Sequence, residues 1–129
     1  MEFWTGCVVL LLVCTPLTQA DPVCASCICT ETTIDCSSGK LTRHPTSSEW
    51  PTDKVVTDVL MENNYIVHVT QYPPMAVLRL SLHHCNIVHL DNEAFTNLQN
   101  LTELDLSYNE ITSANLDPAV FQVKTSFYR

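Results

Sequence analysis

From Val56 onward, apolar residues return at fixed offsets. Val56-x-x-Val59-x-Met61-x-x-Asn64-x-Ile66-x-x-Val69 superposes on Val77-x-x-Leu80-x-Leu82-x-x-Cys85-x-Ile87-x-x-Leu90, and Leu101-x-x-Leu104-x-Leu106-x-x-Asn109-x-Ile111 begins a third copy. The starts lie 21 and 24 residues apart. A self-similar period of this length marks stacked units that bury a shared core. Within each unit the x-L-x-L-x stretch alternates with period two, which predicts a short strand with its aliphatic side chains inward. The chain must then turn, leaving buried backbone groups in need of partners. The amides of Asn64 and Asn109 suit that role, and Cys85, small and a weak donor, stands in for them in the second unit.

The return path reads as convex and loosely helical. Asp91 is expected to N-cap a helical stretch over 92–97, and Asp117-Pro118 pairs an N-cap with proline at the first helical place. Phe95, Leu98 and Phe121 are expected to fill the space behind the strands. In the third unit Ala114 stands where an aliphatic residue is due and Leu116 arrives two residues late, which reads as an insertion. Residues 122–129 fit no slot.

The N-terminal part follows other rules. The apolar run from Cys7 to Cys14 is eight residues long, whereas a membrane-spanning helix needs about 20. Pro16 and the small residues Thr18 and Ala20 follow it, the layout of a secretory signal peptide cut after Ala20. An uncleaved anchor is the alternative. Cleavage leaves 109 residues with five cysteines: Cys24, Cys27, Cys29, Cys36 and Cys85. The first four form a C-x2-C-x-C-x6-C cluster, which in a secreted chain reads as disulfides rather than zinc; the residues alone permit three pairings.

Composition narrows the chemistry. Two glycines in 129 residues leave no material for a phosphate-cradling loop. Fourteen acidic against six basic residues, a net charge of −8, argue against a nucleic-acid backbone binder. No G-x-S-x-G or H-E-x-x-H is present, and the register pairs no histidine with a nucleophile, so no enzyme, cofactor or metal is expected. His83-His84 invites a metal reading, but neighbours on a strand point apart, and His89 lies on the turn behind them. Cys85 is expected inside and inert. Asn100-Leu101-Thr102 is an N-glycosylation sequon just before the third strand.

The repeat, the cysteine cluster and the apolar leader occur in the order found in extracellular leucine-rich repeat proteins, and the chain resembles that group (Slit, Toll-type receptors, small leucine-rich proteoglycans). The resemblance implies an α/β solenoid: a short curved array of about three repeats, with parallel strands on the concave side, behind a disulfide-bonded N-terminal cap. It divides the chain into a signal peptide (1–20), a cap (21–54), repeats (55–76, 77–100 and 101–121) and an off-pattern tail (122–129). It implies Cys24–Cys29 and Cys27–Cys36 pairs. It also implies a secreted or cell-surface module that recognises an extracellular protein ligand or receptor through its concave face. The outward slots there are Thr57, Asp58, Leu60, Glu62 and Asn63; Leu78, Arg79, Ser81, His83 and His84; and Thr102, Glu103, Asp105, Ser107 and Tyr108. Arg79, His83, His84, Asp105 and Tyr108 are the candidate ligand contacts. Two other roles fit the same residues: a small secreted disulfide-stabilised effector or inhibitor, and a non-autonomous fragment of a longer receptor. Such proteins carry more repeats and often a C-terminal cap, so Leu104, Leu106, Ile111 and Phe121 are expected along an open edge, leaving the chain either marginal on its own or paired end to end through that edge.

Overall fold

The repeat period becomes a sheet because each unit delivers one short strand to the same side. The structure, a computed structural model, describes residues 7–10, 13–16, 22–38, 41–112, 120 and 126–127. The strands are β1 (Cys7–Leu10), β2 (Val13–Pro16), β3 (Ile28–Cys29), β4 (Thr33–Asp35), β5 (Asp58–Leu60), β6 (His68–Val69), β7 (Arg79–Ser81), β8 (His89–Leu90), β9 (Glu103–Asp105) and β10 (Ser126–Phe127). A six-stranded sheet runs β10-β9-β7-β5-β4-β3. Its central members are parallel, with Ile34, Val59, Leu80 and Leu104 in one row. Strands β6 and β8 form a second, parallel pair, and β1 and β2 an antiparallel pair of their own.

The aliphatic slots go inside. Val56, Val59, Met61, Ile66 and Val69 of the first unit, and Val77, Leu80, Leu82, Cys85, Ile87 and Leu90 of the second, are all buried. Leu104 is buried as well, while Leu106 and Ile111 are partly covered. The disulfide-bonded N-terminal segment, called the cap below for its position alone, extends the same core. Disulfides Cys24–Cys29 and Cys27–Cys36 close it, and β3 folds back antiparallel onto β4. Ile34 and Cys36 then occupy the two inward slots of a repeat strand: Cys36 N–H donates to Leu60 O (2.7 Å), just as Met61 N–H donates to Ser81 O (2.9 Å) and Leu82 N–H to Asp105 O (2.8 Å). The cap is therefore one more rung of the ladder.

Several expectations are revised. No helix spans 92–97. Residues 92–97 form successive turns, with Ala94 N–H bonded to Asp91 O and Leu98 N–H to Phe95 O. The Asp91 carboxylate goes to His68 instead of capping a helix. The turns close locally over three residues, and Tyr72 N–H to Ala94 O and Asn97 Nδ2 to Tyr72 O tie them to the preceding unit. At the far end, β10 lies parallel to β9 with Ser126 opposite Glu103 and Phe127 opposite Leu104. The edge expected to be open carries two residues of the tail. Ala114, Leu116, Asp117-Pro118 and Phe121 lie outside the described residues, as does the Thr18–Ala20 cleavage signal. No helix among the described residues is long and apolar enough to cross a membrane.

Candidate functional site

The turns after the strands set the site's frame. Asn64 Nδ2 donates to Cys36 O and Met61 O, both at 2.8 Å, while its Oδ1 accepts from Leu41 N–H. Asn109 repeats this one unit on: Nδ2 to Leu82 O (2.8 Å) and Leu106 O (3.0 Å), with Oδ1 accepting from the N–H groups of Cys85 and Ile87. The position before each anchor is left-handed. Asn63, His84 and Tyr108 have φ of 62°, 56° and 58°. The three side chains therefore leave the turns at equivalent places and line one rim.

The sheet's open face carries two rows. Thr33, Asp58, Arg79 and Glu103 lie side by side, and Asp35, Leu60, Ser81 and Asp105 lie next to them. All of these except Asp35, together with Glu62, surround a shallow hollow of about 370 Å³. Arg79 is not a free cation. Its Nε bonds Asp58 Oδ1 at 2.8 Å and lies 3.8 Å from Glu103 Oε1. Ser81, expected outside, is buried and donates to Glu62 Oε2 at 2.8 Å. Four carboxylates share this face with one arginine, so the hollow presents net negative charge. From the cap, Asp35 joins them, its carboxyl held below the usual range by the Ser37 hydroxyl and N–H.

At the rim the histidines behave differently from strand neighbours. Strand β7 ends at Ser81, and the left-handed turn at His84 brings the two rings 6.2 Å apart instead of to opposite faces. His84 Nδ1 lies 3.0 Å from Asn63 Oδ1, so Nδ1 carries the proton. His83 Nδ1 sits 2.7 Å from Ser107 Oγ and its ring meets Tyr108 edge-on at 5.0 Å. Tyr108 is 76% exposed. The register therefore does join a histidine to a hydroxyl, contrary to expectation. Ser107, however, is buried and donates its own proton to Asp105 Oδ1 at 2.5 Å. His83 then donates to the serine oxygen. A nucleophile needs the reverse order, with the histidine accepting, so the trio is a structural relay. The five candidate residues thus fall into two groups: Arg79 and Asp105 in the hollow, and His83, His84 and Tyr108 at the rim.

Cys85 is buried and unpaired, and burial raises its thiol pKa. His89 lies next to His68 across β6 and β8, with ring centres 6.0 Å apart and His68 Nε2 2.5 Å from Asp91 Oδ1. Among the described residues no group of three such side chains is arranged to hold a metal. Asn100 is exposed on a turn, and Thr102 Oγ1 donates to Leu78 O at 3.0 Å. Sequence reasoning passed over Asp35 and Thr33 of the cap. Their alternation around Ile34 and Cys36 is the signal that could have found them.

Residues 77–122 match the family model described as leucine rich repeat. That region is the second and third units of the register, and this repeat is typically a non-catalytic protein-interaction fold. No solved structure matches the chain.

Proposed function

We propose that the chain is a secreted or cell-surface leucine-rich repeat module that recognises an extracellular protein through the concave face of its sheet. One observation carries the reading: parallel register sets Asp58, Arg79 and Glu103 in a row across three units, beside Asp105, with the His83, His84 and Tyr108 rim at one end. The hollow's acidic balance favours a basic segment of the partner. Exposed Tyr108 is the natural anchor at the rim, since a rigid aromatic loses little entropy on binding. An N-linked glycan at Asn100 and removal of residues 1–20 belong to the same reading.

Capture of extracellular and cell-surface proteins by the full chain, followed by binding of the captured partner to variants, tests it. Tyr108→Ala and Asp105→Asn, whose amide oxygen can still accept from Ser107, are expected to weaken or remove binding while the circular dichroism spectrum stays unchanged. Silent concave-face variants, with binding lost on Ile28→Ala in the cap, would favour a small disulfide-stabilised effector instead. Mass spectrometry before and after glycosidase digestion reads Asn100 directly.

A further inference from the structure

One buried titratable group plays no part in the proposed surface. His44 lies on the stretch between the cap and the first repeat and is 3% exposed. This stretch runs alongside residues 64–72 and is held there by polar contacts. Leu41 N–H donates to Asn64 Oδ1, Tyr65 N–H to Leu41 O, Thr70 Oγ1 to Pro45 O, and Ser47 Oγ to Gln71 O. At its centre, Thr70 N–H donates to His44 Nδ1 at 3.3 Å, and Thr70 Oγ1 lies 2.8 Å from the same nitrogen. Nδ1 must therefore be the bare nitrogen, and the ring's proton sits on Nε2. Nε2 is buried without a hydrogen-bond partner. The ring stands edge-on to Tyr72 at 4.7 Å and 6.0 Å from Trp50.

A second proton is poorly housed: the Pro45 backbone favours the charged form, but burial outweighs it. On Nδ1 the proton would point at a backbone donor. Thr70 Oγ1 could accept it, but Thr70 N–H would then lose its acceptor, and the cation would sit between two aromatic rings with Nε2 still unpaired. The surrounding charges offer little relief. Arg43 beside it repels a proton and is itself engaged with Glu49 and the His44 carbonyl. Asp91 favours the charged form, but its carboxylate is held by His68, whose own charge opposes it. Burial dominates these effects and depresses the imidazole to about 3.

We propose that His44 is an acid-sensitive latch: protonation releases the 41–50 segment from the first repeat, uncovering Trp50 and loosening the cap from the array. The direction follows from linkage. The closed form excludes the proton and the open form binds it with an ordinary histidine affinity near 6.5, so the latch holds fully above that value. Below it, the open population grows about tenfold per pH unit until the closed form titrates. A chain passing from a neutral to an acidic compartment would open at this joint.

The test is acrylamide quenching of Trp50 in the full chain carrying Trp4→Phe, from pH 7.5 to 4. Quenching is expected to rise reversibly below pH 6 in that background and to stay flat with His44→Gln, whose side-chain oxygen can still accept from Thr70 N–H. A His68→Gln, His89→Gln double variant should keep the rise. Loss of the rise in the double variant, or its persistence in His44→Gln, overturns the proposal. Should His44→Gln fail to fold, the imidazole Cε1–H resonance of His44 decides. Titration near 6.5 with Trp50 still shielded refutes the latch, and a shift that tracks Trp50 exposure supports it.

Discussion

The thiol of Cys85 lies 2.9 Å from the carbonyl oxygen of Met61. That is the contact the Asn64 amide makes to Cys36 O and the Asn109 amide to Leu82 O. A cysteine thus stands in an asparagine ladder as its weakest rung. Cys85→Ala should cost only about 1 kcal/mol in urea denaturation, because Met61 O loses the thiol but keeps the Asn64 amide as a donor. The buried, high-pKa thiol should react with a maleimide only in denaturant, read by peptide mapping at Cys85.

The asparagines carry more. Asn109→Ala would orphan Cys85 N–H, Ile87 N–H and two carbonyls at once. We expect a loss of about 2–4 kcal/mol in the urea midpoint analysis. Asn109→Asp should recover part of it, since the carboxylate keeps the two acceptor contacts but not the donors.

The two disulfides should not be equivalent. Cys36 is 1% exposed in an inward slot of the ladder, whereas Cys24 and Cys29 are only partly buried. Replacing Cys27 and Cys36 by alanine is expected to cost about 2–5 kcal/mol, and replacing Cys24 and Cys29 less, compared by thermal melting. The first change also removes packed volume beside Ile34.

A second pH effect belongs to the carboxylates. Glu49 is held down to about 2 by Arg43 and by the Thr46 backbone N–H. A depressed carboxyl contributes stability that is complete above its unfolded value of 4.5 and is lost as pH falls toward 2. Glu49→Gln should therefore flatten the acid limb between pH 4.5 and 2. Above pH 5 it should lower stability by a constant amount and leave the slope set by His44 unchanged.

The core was plain in the sequence because period and burial coincide: every aliphatic slot of the first two units points inward. The turn anchors Asn64 and Asn109 were legible for the same reason, since a buried turn has few other donors to call on. The disulfide pairing came from resemblance, not from the residues, which permit three. The site was half legible. Which positions share a face follows from alternation, but partners do not. Nothing in the sequence tied Arg79 to Asp58, buried Ser81 against Glu62, or turned His83 toward Ser107. These depend on the angle at which consecutive units stack and on left-handed backbone at Asn63, His84 and Tyr108. The helix expected over 92–97 failed because local capping signals compete with tertiary contacts, and the carboxylate of Asp91 found His68 first.

The cap strand has a consequence for how the chain folds. Each rung of the ladder joins residues 21 to 25 positions apart, from Thr33 to Asp58, Asp58 to Arg79 and Arg79 to Glu103. All rungs therefore cost similar loop-closure entropy, and no later strand is favoured as the starting point. Among the described strands of this sheet, β4 differs: the short Cys27–Cys36 loop ties it to β3 before any repeat has docked. Assembly is therefore expected to start at this covalently closed end, with one unit templating the next.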